Sequence, residues 1–320
     1  MNVGWLRAAV VVELALIVPL GLLSACGDST TTAAGGAGGD GGAGGAASLD
    51  FVAGADRPVT VKVPPGYDPA SPAPLVILLH GYGATGFLQD VYLELGRAAM
   101  ERGVVFAAPD GTRDSLGRAF WNATDACCDF EDSGPDDSAY LASLVDEISA
   151  AVAIDPARVF FAGHSNGGFM SHRFACDHAE VVAAIASVAG AMHVDPTDCA
   201  PSEPVSVLQV HGTLDDTVLY EGGESVPASG ELEPGGPYPS ALETAGTWVE
   251  QDGCDATPTE GEPVDLDVSL DGAETTVSAW GSCDENVAVE LWTIEGGTHI
   301  PIFYDDVGGV ILDWLLAHPK

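Results

Sequence analysis

Three residues of this chain have the types and order needed for acyl-transfer chemistry. Ser165 lies in Gly163-His164-Ser165-Asn166-Gly167, the only Gly-x-Ser-x-Gly among 320 residues and 40 glycines. An apolar run over 159–162 leads into it and a helical stretch leads out, which is the context a nucleophile elbow requires. The serine of such an elbow sits on a strained strand-to-helix turn, so its flanking side chains must be small. A hydroxyl is a poor nucleophile until a base takes its proton and an acid orients that base. After an elbow the acid and then the histidine follow in chain order, each behind a later strand. The run 206–210 ends in His211-Gly212-Thr213-Leu214-Asp215-Asp216, which puts Asp215 or Asp216 at the C-terminal edge of a buried strand. The run 288–292 leads to Glu295-Gly296-Gly297-Thr298-His299, a glycine-flanked loop that can bring His299 to the serine. Of the other histidines, His80 lies in a loop with a different use. His164 adjoins the nucleophile, His172 and His178 ride the helix after the elbow, His193 and His211 precede the acid, and His318 is close to the C-terminus.

The developing oxyanion needs two N–H donors. One is the backbone N–H of Asn166, the residue after the nucleophile. The second belongs to the Gly-rich stretch Leu79-His80-Gly81-Tyr82-Gly83, where Tyr82 or Gly81 supplies it.

These groups need a frame. Short β-branched or apolar runs at 60–63, 75–79, 104–108, 159–162, 182–188, 206–210 and 288–292 alternate with helical stretches at 88–102, 138–152, 168–178, 239–251 and 307–317. Several strands are apolar on both faces, which predicts an α/β fold with a mostly parallel sheet and helices on both sides. Asp136 and Asp137 suit an N-cap of the second helix. Residues 220–239, rich in Gly, Pro and acids, read as a surface loop.

The domain organisation has three parts. Residues 1–25 carry Arg7 and an apolar run too short for a convincing membrane span, and end in Leu23-Ser24-Ala25-Cys26. This end resembles the lipobox of bacterial lipoproteins, which implies lipid attachment at Cys26. Residues 26–48 are a Gly-rich flexible tether, and residues 49–320 form one catalytic domain. Six further cysteines, Cys127, Cys128, Cys176, Cys199, Cys254 and Cys283, form an even set that predicts three disulfides in an exported protein. Cys254 pairs with Cys283 in this reading, and Cys127 and Cys128 each reach a distant partner because a bridge between neighbours is strained. No Cys-x-x-Cys or matched histidine spacing indicates zinc, and the acidic run 125–137 lacks the spacing of a calcium loop.

With 48 acidic and 10 basic residues the formal charge is −38, and only Lys62 and Lys320 are lysines. That balance excludes ordinary nucleic-acid binding and docking of a basic patch on anionic membranes. A hydrophobic content of 46% argues against disorder throughout.

On these residues the chain resembles the exported polyhydroxybutyrate depolymerase and feruloyl esterase family of α/β-hydrolases, related to carbohydrate esterase family 1. The resemblance runs from about Pro58 to Pro301. It includes the His80-Gly81 loop, Pro109-Asp110-Gly111, Trp121-Asn122 with Cys127-Cys128, the Ser165 elbow, His211-Gly212-Thr213 with Asp215, Val218, Tyr220, Gly222-Gly223, Trp248, Cys254 and His299. It implies an α/β-hydrolase fold and a serine esterase acting on feruloyl or acetyl esters of plant polysaccharide, or on hydroxyalkanoates. The acid falls on Asp215, and Trp121 and His80 are implied to border the substrate. No metal or organic cofactor is implied. The expected form is a monomer, secreted or lipid-anchored outside the cytoplasm. Where the family has a Trp-Pro pair after its histidine, this chain has Ile300-Pro301-Ile302, a departure that bears on substrate choice. A peptidase of the same fold and a non-catalytic surface binding protein are the rival readings.

Overall fold

The structure, a computed structural model, describes residues 48–226 and 234–320. The leader 1–25, Cys26 and the Gly-rich stretch as far as residue 47 lie outside the described residues.

A strand that is apolar at every position must be covered on both sides. Ala73–Leu79 (β1) is such a strand and is buried along its whole length. Leu75, Ile77 and Leu79 join one core with Phe161, Phe169, Phe174 and Trp248, whereas Val76 and Leu78 join a second with Phe106, Phe160, Ile311 and Leu312. The remaining strands of the sheet are Val105–Ala107 (β2), Ile154–His164 (β3), Ala184–Val188 (β4), Ser206–Gly212 (β5), Thr259–Glu260 (β6), Thr275–Trp280 (β7) and Val289–Ile294 (β8). Their order is β6-β7-β8-β5-β4-β3-β1-β2. From β8 to β2 all pairs are parallel, and β7 and β6 extend the sheet as an antiparallel edge.

The helices are Gly86–Leu93 (α1), Leu95–Arg102 (α2), Asp137–Ala151 (α3), Asn166–Asp177 (α4), Ala241–Gln251 (α5) and Val307–Ala317 (α6). Side chains of α3, α4 and α5 belong to the first core, and those of α2 and α6 to the second. Each parallel strand thus ends in a loop on one edge of a sheet whose faces are both occupied, and that edge is where ligands reach such sheets.

Several local expectations are corrected. The single helix expected over 88–102 is two, because Glu94 takes a left-handed conformation with φ 52° and ψ 25°. Asp90 makes the break possible by accepting the Gly96 N–H at 2.7 Å. Gly308 of α6 sits so close that a Cβ there would stand 2.3 Å from the Leu93 carbonyl oxygen, so the chain bends where α6 crosses it. The stretch 220–239 contains a short antiparallel pair, Gly223–Glu224 with Pro237–Tyr238. Of the two candidate caps, Asp136 accepts the Ala139 N–H. Asp137 turns inward, where it accepts from Arg57 at 2.5 Å and from the Asn122 N–H at 2.7 Å.

Cys254 pairs with Cys283 as expected, but Cys127 bonds to Cys128 and Cys176 to Cys199. Distant partners for Cys127 and Cys128 are ruled out by the turn that carries them. The Cys127 N–H donates to the Thr124 carbonyl and the Cys128 N–H to the Trp121 carbonyl, which folds the segment onto itself.

Asp252, at the C-terminal end of α5, is fully buried. One carboxylate oxygen accepts the Val205 N–H at 3.3 Å, and Oδ2 has no partner among the described residues. Burial pushes its pKa up to about 7. A proton held more tightly in the folded than in the unfolded chain stabilises below pH ~4, and that contribution is lost as pH rises towards 7. Wild-type stability should therefore fall across this window by up to about 1.4 kcal/mol per pH unit from this group. Asp252→Asn should flatten the fall, as read by urea unfolding at pH 5 and pH 8. An equal slope in both proteins refutes the assignment.

Candidate active site

Ser165 follows β3 directly, at φ 56° and ψ −123°, and α4 begins at the next residue. A non-glycine residue held at such an angle costs on the order of 1–3 kcal/mol and persists only where the surroundings over-determine it. Here the Ser165 N–H donates to the Val188 carbonyl of β4, and the Phe169 N–H donates to the Ser165 carbonyl. Three glycines supply the clearance. A Cβ on Gly163 would lie 2.2 Å from the Gly167 carbonyl oxygen, one on Gly167 would lie 2.2 Å from the Leu79 carbonyl oxygen, and one on Gly168 would lie 2.7 Å from Ser187 Oγ.

The structure brings the three residues expected from the sequence together. Asp215, in the loop after β5, accepts from His299 Nδ1 at 2.8 Å. His299, in the loop after β8, presents Nε2 to Ser165 Oγ at 3.0 Å. Asp216 is exposed and takes no part in this line, so the geometry agrees with the acid that the resemblance implies. Asp215 is immobilised at both oxygens, since Oδ1 accepts the Thr217 and Val218 N–H groups and His211 Nε2 lies 3.3 Å from Oδ2. Burial raises the pKa of its carboxyl, but the hydrogen bonds from His211 and His299 outweigh that and hold it well below the usual carboxylate range.

The other buried histidines are structural, and their partners fix their tautomers. His164 Nε2 donates to the His299 carbonyl at 2.8 Å and so anchors the loop that carries His299. Burial pushes its pKa down to about 4, which keeps it neutral beside that ring. His80 donates through Nδ1 to the Gly81 carbonyl and accepts the Gly111 N–H at Nε2. His172 accepts from Trp248 and donates to Gln209.

A cavity of about 340 Å³ opens beside Ser165 and His299, walled largely by Tyr82, Leu88, Tyr92, Phe130, Val218 and Ile300. Ile300, in the departure noted after His299, therefore borders the cleft. Tyr82 N–H has no partner among the described residues, whereas the Gly81 N–H donates to Gln89 Oε1. Of the two candidates in that loop, Tyr82 keeps its donor.

The two residues expected to border the substrate do not line this cavity. Trp121 is fully buried and lies outside the cavity, with its ring 5.2 Å from that of His80. Its contribution is backbone: its N–H donates to Asn166 Oδ1 and its carbonyl accepts from Asn166 Nδ2, which clamps the segment to the elbow. His80 is equally buried, with both ring nitrogens engaged. The Cys127–Cys128 pair does reach the cavity wall, together with Gln89. Nothing in the spacing signals either, because a polar residue inside a helix and two adjacent cysteines reveal their neighbours only after folding.

Among known proteins, the esterase family model, described as "Putative esterase", matches residues 52–272, a span that holds Ser165 and Asp215 but not His299. The chain is 30% identical over 246 residues to Feruloyl esterase B of Piromyces equi, a match covering 76% of this chain and 42% of that protein. It is 30% identical over 254 residues to "Putative esterase NocK" of Nocardia uniformis subsp. tsuyamanensis, covering 78% of this chain and 71% of that one. The chain thus spans less than half of Feruloyl esterase B. The solved structure of acetyl xylan esterase from Aspergillus awamori superposes with a TM-score of 0.55 at 16% identity, over 81% of this chain and 93% of that one. With the mostly parallel sheet flanked by helices, this likeness establishes the α/β-hydrolase fold.

The packing at the elbow leaves no room for a methyl group. Gly167→Ala should destabilise the domain by about 2 kcal/mol or more, because the atom in the way is backbone. Urea unfolding of the variant checks this, and unchanged stability would show that the strand end can yield.

Proposed function

This chain belongs to the esterase family, and on that premise we propose that it is a serine hydrolase of carboxylic esters working through an acyl-enzyme on Ser165. The observation that carries the reading is the line from Asp215 Oδ2 to His299 Nδ1 at 2.8 Å and from His299 Nε2 to Ser165 Oγ at 3.0 Å. His299 takes the Ser165 proton as Oγ attacks the ester carbonyl. The tetrahedral oxyanion accepts from the backbone N–H groups of Tyr82 and Asn166, donors that meet charge only as it develops. His299 then protonates the leaving alcohol, and in the second half it deprotonates the water that releases the acid. Asp215 stays ionised throughout, stabilises the imidazolium and holds Nε2 towards the serine.

The substrates are neutral esters. The predominantly apolar cavity suits an acyl group without charge, and the charge of −38 disfavours polyanions. Feruloyl or acetyl esters of plant polysaccharide and hydroxyalkanoate oligomers are the candidate classes, and the names of the feruloyl and acetyl xylan relatives favour the first. Three disulfides support a location outside the cytoplasm, with Cys26 as the lipid attachment site and the chain acting as a monomer.

Ser165→Ala should lower kcat on p-nitrophenyl esters by about 10⁴-fold or more, and Asp215→Asn by about 10³–10⁴-fold, with circular dichroism unchanged. A fluorophosphonate should label wild type at Ser165. Turnover retained by a folded Ser165→Ala variant overturns the reading, and methyl ferulate, acetylated xylan and hydroxybutyrate oligomers rank the substrate classes.

A further inference from the structure

Helix α1 turns Gly86, Gln89 and Leu93 inward. Core-facing positions of a helix are ordinarily apolar, yet Gln89 occupies one at 3% exposure. Half of its carboxamide is accounted for. Oε1 accepts the Gly81 N–H at 3.2 Å, and since that partner is a donor, chemistry assigns the oxygen and nitrogen ends. Nε2 is buried and has no acceptor among the described residues. The tie to Gly81 needs only an acceptor, so the amide nitrogen is surplus to it.

The residue that carries the surplus donor belongs to the wall of the cavity in which a bound ester would sit. Gln89 lines the cavity together with Ser165 and His299. Gly81, whose N–H it holds, packs against the nucleophile so closely that a Cβ there would stand 3.4 Å from Ser165 Cβ. The two tyrosine hydroxyls of the same wall are committed elsewhere, Tyr82 to Asp114 at 2.6 Å and Tyr92 to the Pro301 carbonyl at 2.9 Å. In an apolar wall one unpaired donor discriminates strongly. An acyl group with an acceptor gains a hydrogen bond shielded from water, whereas a hydrocarbon chain leaves the donor desolvated.

We propose that Gln89 Nε2 is a specificity-determining donor that binds an oxygen acceptor on the acyl group near the ester carbonyl. It makes the site prefer oxygen-bearing acyl chains over hydrocarbon chains of equal length, and among the candidate classes it points to hydroxyalkanoates, against the feruloyl and acetyl esters that the relatives' names favour. The inference rests on the esterase reading of Ser165.

The test pair is p-nitrophenyl 3-methoxypropanoate and p-nitrophenyl pentanoate, which share leaving group and length and differ in one ether oxygen. Wild type should favour the methoxy ester in kcat/KM by about tenfold beyond the ratio of the two in hydroxide hydrolysis. Gln89→Met removes both ends of the carboxamide. Gln89→Glu keeps an acceptor for Gly81 and replaces the donor with an acidic oxygen. Both should bring the preference back to the hydroxide ratio. Any slowing from a loosened Gly81 loop affects both esters and cancels in the ratio, so a merely structural role would leave the preference intact. If Gln89→Met does not fold, Gln89→Glu decides alone. A wild-type preference no larger than that of hydroxide, or one that survives in a folded variant, overturns the proposal. Wild type that hydrolyses neither ester, or a Ser165→Ala variant that hydrolyses both, refutes the esterase reading instead.

Discussion

The strained turn at Ser165 is the constraint on which the rest of the site depends. Its positive φ is tolerable only because β1, β3 and β4 end flush around it, with the Ser165 N–H donated to Val188 and the Gly167 backbone pressed against Leu79. These contacts leave space for hydrogen at Cα and nothing larger, so the glycines are a packing requirement and not merely a sign of a flexible turn. The same closeness sets the distance from the nucleophile to the Gly81–Tyr82 loop, which leaves the end of β1.

The site is assembled from neutral, singly committed groups around one ionised acid. Burial holds His164 and His172 uncharged, and each ring has partners that decide which nitrogen carries the proton. His299 differs because one nitrogen faces a carboxylate fastened by two backbone N–H groups and the other faces the serine. A mobile carboxylate could turn from the imidazole, whereas this one is fixed before any substrate arrives. The cavity beside them is walled largely by apolar side chains.

Much of the frame was legible in the residues. β1 reads as a buried strand because each of its positions is apolar, and α6 was bounded as the structure has it. The break at Glu94 was not legible, since 88–102 carries good helix formers and the bend answers to Gly308, more than 200 residues away. β7, a weakly apolar stretch, becomes a strand by pairing with β8 at the sheet edge. Trp121 was expected at the substrate because the resemblance implies it there. It is buried because Asn166 draws its backbone under the elbow.

Sequence alone singled out Ser165, an acid at 215 or 216 and His299 in that chain order, because an elbow needs small neighbours and a strand before it, and those are local facts. It also fixed the acid balance, 48 acidic against 10 basic residues. Tertiary structure joined Asp215 to His299, paired Cys127 with Cys128, left Trp121 and His80 out of the cavity wall and put Gln89 into it. The line through His299 rests on contacts between segments remote in the chain, His299 with Asp215 across 84 residues and with Ser165 across 134, whereas the Cys127–Cys128 bond is set within its own turn. Residue type limits what a side chain can do, but which partners it meets is set by the packing of strands that carry no chemistry of their own.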